Sequence, residues 1–277
     1  IVIDSPTQNF ATLLPMLNTA LSEGNLNLTT SRTGNWDGTI GNFAVNSGKW
    51  YYEVRMTYTT DSTFRCVAGW QGNHSTQTVT YHGKGASGSP YGTLFDNYQV
   101  SSHTTSFYKD GVNDTTDGTT TAPSSGDIIN IAADFDSGKM YFGVNGTYYA
   151  NDGGTDGNPS AGTNESLSGI DLTANEYVPA FNIRSDNATG GNQMYVNFGQ
   201  DATFNNTVTG ANGYSQSAGG EFKYQPPAGF KALKASNLVE PIITPRNDSI
   251  ENSFFYTTLY EGNGGGQRVG QFLPLNE

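Results

Sequence analysis

The stretch GDIINIAADFDSGKMYFGVNGTYY, residues 126–149, decides the fold. Its first part, Ile128 to Phe135, is nearly all apolar and predicts a buried strand. A turn of Asp, Ser and Gly follows, and then a second strand, Lys139 to Val144. Asn145-Gly146 favours the positive backbone angles of a tight hairpin turn, after which Tyr148-Tyr149 begins a third strand. The stretch therefore predicts a meander of three strands joined by two tight turns.

The same strand-and-turn pattern continues on both sides of this meander. In Trp50 to Met56 the side chains alternate, with Tyr52, Val54 and Met56 on one face. Further strands are expected at Phe64–Trp70, Phe107–Asp110, Tyr177–Ile183 and Gln193–Phe198, the second of them ending in the Asp110-Gly111 turn. The chain has 16 Tyr, 15 Phe and 35 Gly, a composition that suits pleated strands and tight turns. The sequence predicts an all-β protein.

Charge and hydropathy exclude several classes of partner. The formal net charge is −12, from 13 Lys and Arg against 25 Asp and Glu, which disfavours nucleic acid and anionic membrane surfaces. No stretch of 18 apolar residues and no basic, apolar signal segment occurs, so no membrane insertion is expected. Cys66 is the single cysteine and is expected in a buried strand. Because the chain begins at Ile1, we expect a processed or partial polypeptide.

The two ends differ from the central pattern. Within residues 1–30, Phe10, Leu13, Leu14, Leu17 and Leu21 recur at helix-like spacing, but Pro15 interrupts them, so a turn or short helix is expected. We therefore divide the chain into an N-terminal leading segment (1–30), a sandwich (31–235), and a linker with the start of a further strand or hairpin (236–277). The last includes Phe254 to Tyr260 and the glycine-rich turn after it.

Several short motifs resemble, in order, those of the SPRY domain. They are Gly48-Lys49-Trp50-Tyr51-Tyr52-Glu53-Val54, Val67-Ala68-Gly69-Trp70, Tyr108-Lys109-Asp110-Gly111, Gly126 to Asp136, Lys139 to Gly146, Val178-Pro179-Ala180 and Val196-Asn197-Phe198-Gly199-Gln200. The resemblance covers about residues 31–235. It implies a two-sheet antiparallel β-sandwich of the concanavalin A-like jelly-roll type, with short N- and C-terminal extensions.

A narrower resemblance is to SPRY-bearing structural proteins of tailed bacteriophages. It rests on Asp4 to Leu13, on Pro226 to Leu233 with Asn237-Leu238, and on Phe254 to Gly266. It implies a virion protein, most plausibly of the tail or tail fibre.

Catalytic and metal-binding motifs are lacking. The E-x-D-x-E spacing of the related glucanases does not occur, and Asp134 and Asp136 are expected to form a turn. Gly83 to Gly88 fits G-x-G-x-x-G without a following helix, and the three His residues share no metal spacing. The acidic loops 114–117 and 151–158 offer oxygen ligands that suit calcium, but they lack the closing Glu of an EF-hand. No catalytic residue, metal or cofactor is predicted, and calcium stays the one alternative.

Ligand binding is expected in long polar loops at one end of the sandwich. SPRY relatives bind through such loops, which correspond here to residues 71–91 and 112–126. Near these loops we predict His82, Tyr91, Tyr98 and Tyr108 as ligand-binding residues, because aromatic and imidazole rings stack on sugars and peptides. Trp70 lies in the same region, and its position favours a place in the core.

These observations predict a non-enzymatic adhesion or structural protein of a virion. Its partners would be a host cell-surface glycan or protein and neighbouring virion proteins, and a homo-oligomer is expected because symmetry multiplies weak contacts. A capsid-surface decoration protein, a concanavalin-like carbohydrate-active enzyme and a cellular SPRY peptide-binding adaptor remain the alternatives.

Overall fold

The fold was determined from a computed structural model of the chain. The structure describes residues 9–16, 20–29, 36–58, 64–72, 90–97, 104–109, 112–113, 120–121, 123–172, 176–185, 192–209 and 218–238. These residues belong to one compact unit, Ile1–Leu238. Residues Val239–Glu277 make up a separate unit and lie outside the described residues. The strand expected at Phe254 to Tyr260 falls within this range, so it lies outside the described residues too.

The described residues form two β-sheets. Their strands are β1 (Ala20–Ser22), β2 (Asn27–Thr29), β3 (Trp36–Ile40), β4 (Lys49–Thr57), β5 (Phe64–Gly72), β6 (Pro90–Asn97), β7 (Thr104–Lys109), β8 (Val112–Asn113), β9 (Thr120–Thr121), β10 (Ile128–Asp134), β11 (Lys139–Val144), β12 (Thr147–Tyr149), β13 (Leu167–Ser168), β14 (Tyr177–Ser185), β15 (Gln193–Asn197) and β16 (Lys231–Ala232). A short 3-10 helix spans Ala235–Asn237.

The first sheet has the order β1-β2-β15-β4-β10-β11-β12, with β13 beside β11 and β16 beside β4. The second has the order β3-β14-β5-β6-β7-β8, with β9 beside β7. All of these pairs are antiparallel except β16 with β4, which is parallel. The predicted two-sheet antiparallel β-sandwich is confirmed.

The predicted meander is β10, β11 and β12. Ile129 lies opposite Val144, and Val144 lies opposite Thr147. The turn residues Asn145 and Gly146 have φ angles of 51° and 84°, which is the left-handed conformation expected of them. Strands β7 and β8 pair on either side of the predicted Asp-Gly turn, whose two residues lie outside the described ones.

Aromatic rings from both sheets fill the space between them. Tyr52 of β4 contacts Trp70 of β5 and Phe181 of β14, each with ring centroids 5.6 Å apart. Trp70 also meets the Phe135 ring edge to face, at 5.1 Å. Trp70 is fully buried, which confirms its predicted place in the core, and Cys66 is a buried free thiol as expected.

We expect Tyr52→Phe to lower the free energy of unfolding by about 1 kcal/mol, since it removes one buried hydrogen bond. The Tyr52 hydroxyl donates to the Gly69 carbonyl oxygen at 2.6 Å. Tyr52→Ala also removes the ring contacts and should cost about 3–5 kcal/mol. Chemical denaturation measures both variants. A Tyr52→Phe protein as stable as the parent would show that the hydroxyl contributes nothing.

The N-terminal leading segment is not helical where the structure describes it. Ala11 donates its N–H to the Leu233 carbonyl at 2.9 Å, and Leu14 donates to Ile40 at 2.8 Å. Strand β2 pairs with β15, so the first sheet includes residues that precede residue 31. The helix-like spacing was misleading because the backbone of this segment pairs with distant parts of the chain, which a local pattern does not reveal.

The outer face of the first sheet carries a second apolar cluster. Its buried members are Phe10, Tyr51, Ala132, Tyr141, Ala218, Phe222, Phe230 and Ala232. Residues 218–233, here named the cover segment, supply four of them and lie over β4 and its neighbours, with the rings of Tyr51 and Phe222 4.8 Å apart. Strand β4 is therefore buried on both faces, although its sequence alternates as if one face met solvent.

Among the described residues, no helix has the length and apolar character needed to cross a membrane.

Candidate functional site

The four predicted ligand-binding residues fall in the least described part of the sandwich. His82 and Tyr98 lie outside the described residues, as do residues 73–89, 114–119 and 122 of the two loops. Tyr91 lies in β6, opposite Trp70 of β5, and Tyr108 lies in β7, opposite Gly92. The register thus brings the backbones of Tyr91 and Tyr108 into neighbouring strands. A role for all four in ligand binding stays a prediction.

A groove lies elsewhere, beside the turn between β1 and β2 and the segment that follows β15. Its volume is about 560 Å³, within the usual range for small-molecule sites. Four chain segments line it, through Asn9, Phe10, Thr12, Glu23, Gly24, Leu26, Tyr195, Gln200, Asp201, Thr203, Asn205, Asn206 and Glu221. We name it the acidic groove, because the charged residues in the described part of its lining are Glu23, Asp201 and Glu221.

Two left-handed turns form walls of the acidic groove. Glu23, Gly24 and Asn25 have φ angles of 53°, 67° and 63°, and residues 204–206 have φ angles of 48°, 56° and 59°. Runs of left-handed residues are rare because the Cβ atom crowds the backbone, at a cost of about 1–2 kcal/mol per residue. The surrounding hydrogen bonds must therefore hold these turns in place.

Asp201 supplies most of those hydrogen bonds in the second turn. Its Oδ1 accepts from the Thr203 N–H at 2.8 Å and from the Thr203 hydroxyl at 2.6 Å, and its Oδ2 accepts from the Asn205 N–H at 2.6 Å. The Thr203 hydroxyl oxygen then accepts from the Asn206 N–H at 3.0 Å. This carboxylate satisfies three donors and fixes the wall of the groove.

Tyr195 projects from β15 into the same site. Its hydroxyl lies near the Asp201 carboxylate, and its ring meets the Phe204 ring edge to face at 5.8 Å. Burial raises the pKa of Tyr195 well above its ordinary value, and the nearby negative charges of Asp201 and Glu23 add to the effect. The tyrosine is therefore a neutral hydrogen-bonding group at neutral pH.

Asn197 connects this wall to the interior of the protein. Its Oδ1 accepts from the N–H groups of Gly199 and Asp201, at 2.8 and 3.1 Å. Its Nδ2 donates to the carbonyl of Glu221 at 2.9 Å and to the Glu53 carboxylate at 3.3 Å. One buried amide thus positions both sides of the groove.

Glu53 is a buried carboxylate beneath the cover segment. Besides Asn197, it accepts from the Tyr51 hydroxyl at 2.8 Å and from the N–H groups of Lys223 and Tyr224, at 2.9 and 2.8 Å. Burial raises the pKa of Glu53 from 4.5 to about 7, and these hydrogen bonds oppose the rise. Sequence reasoning placed Glu53 in a motif but gave it no role, since the cover segment that buries it is about 170 residues away along the chain.

The predicted turn role of Asp134 and Asp136 is confirmed. Asp134 accepts from the N–H groups of Asp136 and Ser137 at 3.1 Å each, and it forms an ion pair with Lys49 at 2.9 Å. Asp136 accepts from the Gly48 N–H at 2.7 Å. Both carboxylates are engaged in holding the β10–β11 turn against the start of β4.

The acidic loop 151–158 uses its side chains in the same manner. Asp152 accepts from the Gly154 N–H, and Asp156 accepts from the Asn164 side chain, each at 2.9 Å. In the described part of the chain, no group of three or more His, Cys, Asp or Glu side chains is arranged to hold a metal ion. The other acidic loop, residues 114–117, lies outside that part.

The acidic groove was missed by sequence reasoning, although two signals for it exist. The Val196-Asn197-Phe198-Gly199-Gln200 run was recognised only as a family motif, and the Asn-rich Phe204-Asn205-Asn206 run was not singled out. Asn tolerates the left-handed conformation better than most residues, so the second run signals an unusual turn. Neither run indicates that the two lie beside the β1–β2 turn.

Part of this chain is similar to SPRY domains. The family model described as SPRY domain matches residues 49–155. The crystal structure of the SPRY domain of human HERC1 is similar over 65% of this chain and 92% of that chain, at 17% identity and a TM-score of 0.44. No curated protein matches the chain. All residues that line the acidic groove lie outside the matched range.

Proposed function

We propose that this chain is a non-enzymatic adhesion protein of a bacteriophage particle, located in the tail or tail fibre, which binds a glycan on the host surface. The acidic groove is the observation that supports binding. It has the volume of a small-ligand site, and it combines an aromatic ring with hydroxyl, amide and carboxylate groups. Such a lining matches sugars, which present apolar ring faces and many hydroxyl groups.

The virion setting rests on the resemblance of Asp4 to Leu13, Pro226 to Leu233 and Phe254 to Gly266 to phage structural proteins. The net charge of −12 agrees with a surface role without nucleic-acid contact. Partners in this setting are neighbouring virion proteins and further copies of the chain, since repeated weak sites gain avidity through symmetry.

Antibodies raised against the chain test the setting directly. We expect gold-labelled antibodies to decorate the tails of phage particles in electron micrographs, and light scattering to give the mass of a homo-oligomer such as a trimer. Labelling confined to the head would favour the capsid decoration alternative. Unlabelled particles, or a monomeric mass, would contradict the corresponding part of the proposal.

A carbohydrate-active enzyme is the second candidate, because three carboxyl groups line one groove and glycosidases use pairs of them. Asp201 already accepts three hydrogen bonds from its own turn, which suits a structural role better than proton transfer. Incubation of the chain with bacterial and algal glycans should release no reducing ends. Release that Glu23→Gln or Glu221→Gln abolishes would establish the enzyme instead.

A further inference from the structure

We propose that the acidic groove selects saccharide units that are uncharged or carry an amine, and that it excludes acidic sugars. This inference rests on the proposed function, since it specifies which glycans the chain would bind. It is carried by the charges and hydrogen-bonding groups that face the groove and by their fixed geometry.

The first argument is charge. Glu23 and Glu221 are exposed at the groove and have no ion-pair or hydrogen-bond partner for their side chains among the described residues. Asp201 adds a third carboxylate, and the lining residues that the structure describes include no Lys, Arg or His. These carboxylates therefore repel an acidic sugar and attract an amine.

The second argument is hydrogen-bonding chemistry. The amide side chains of Asn205 and Asn206 are exposed at the groove and have no partner among the described residues, so each offers both a donor and an acceptor. The carboxylates of Glu23 and Glu221 are acceptors only. Sugar hydroxyls donate and accept, so they can use both kinds of group, whereas a basic peptide side chain can use only the acceptors. The mixture favours a saccharide.

The third argument is rigidity. Asp201 and Thr203 hold the left-handed turn that carries Asn205 and Asn206, and Gln200 joins the floor to the N-terminal segment through a bond from its Nε2 to the Ala11 carbonyl at 3.2 Å. A site that is ordered before binding loses less conformational entropy when the ligand arrives. Weak contacts to sugar hydroxyls can then produce measurable affinity.

The test is calorimetric titration of the full chain at pH 6 with three hexamers of equal length: N-acetylglucosamine, glucosamine and galacturonate. We expect the glucosamine hexamer to bind at least about five-fold more tightly than the galacturonate hexamer. The double variant Glu23→Gln with Glu221→Gln should weaken glucosamine binding by about three- to ten-fold and change binding of the neutral hexamer less than about three-fold. Glu176→Gln, an exposed acid that does not line the groove, makes the matched control and should change neither.

The outcomes separate this inference from the function on which it rests. If no hexamer binds at millimolar concentration, the glycan-binding function itself is contradicted. If the galacturonate hexamer binds as tightly as the others, or the double variant binds like the parent, glycan binding survives but the assigned selectivity and site are overturned. Binding of penta-lysine with the same charge dependence, in the absence of hexamer binding, would assign the groove to basic peptides and overturn the proposal.

Discussion

Replacing Glu53 with Gln lowers the free energy of unfolding by about 1–3 kcal/mol at pH 5, because one buried backbone N–H loses its acceptor. At this pH Glu53 is protonated, but its hydroxyl oxygen keeps a lone pair that can accept an N–H, whereas the amide nitrogen of Gln has none. Both carboxylate oxygens accept a backbone N–H, from Lys223 at 2.9 Å and from Tyr224 at 2.8 Å. The amide nitrogen of Gln must occupy one of these positions, where it places a donor against a donor. Chemical denaturation followed by tryptophan fluorescence measures the change.

The same substitution removes a pH dependence of the free energy of unfolding. The folded pKa of Glu53 is about 7 against 4.5 for the free side chain, so the folded protein binds more protons than the unfolded chain between these values. The stability associated with this group is therefore complete below pH 4.5 and is lost as the pH rises through 7. At 1.36 kcal/mol per pKa unit, the loss is of the order of 3 kcal/mol.

We expect the parent protein to lose this stability between pH 5 and pH 8, and the Glu53→Gln variant to show a flatter profile. The difference between the two profiles isolates Glu53, since every other titrating group is common to both. Glu176→Gln serves as the control, because this exposed residue should change stability by less than about 0.5 kcal/mol. Parallel profiles for the parent and Glu53→Gln would show that Glu53 does not titrate in this range.

Gly199→Ala is expected to destabilise the sandwich by about 3–5 kcal/mol. The φ angle of Gly199 is 119°, a conformation that residues with a Cβ rarely adopt. A Cβ at this position would lie 2.9 Å from both the Ala232 Cβ and the Phe10 ring, and 3.1 Å from the Gly220 backbone. Backbone strain and overpacking therefore act together, each at a cost of about 1–3 kcal/mol.

Gly162→Ala is the matched control for Gly199→Ala. Its φ angle of 71° is also positive, but a Cβ there would meet no atom within 4 Å. Only the conformational cost remains, so we expect a loss of about 1 kcal/mol. Thermal unfolding of both variants separates the two contributions. Equal losses would mean that the close approach of Gly199 to the cover segment is unimportant.

Particular residues show how much of the structure could be predicted from the sequence. The β10–β11–β12 meander was predictable because its signals are local: an apolar run, a Gly-containing turn, and Asn145-Gly146 in the left-handed conformation. The structure of the N-terminal segment was not predictable in this way, although Phe10, Leu13 and Leu14 have helix-like spacing. Phe10 and Leu13 form β-bridges to Lys234 and Gly41, and Leu14 donates its N–H to the Ile40 carbonyl. The spacing of apolar residues over a short stretch does not reveal pairing partners that are so far away along the chain.

The sequence by itself determined that this protein is an all-β sandwich, since alternation, turn residues and aromatic content act over a few residues at a time. Only the tertiary structure decided where a ligand could bind. The acidic groove joins residues 9–12, 23–26, 195–206 and 221, and the burial of Glu53 depends on a cover segment contributed by residues 218–233. Charges and hydrogen-bond donors act through space, so their arrangement is set by which strands become neighbours, and that is a property of the whole fold.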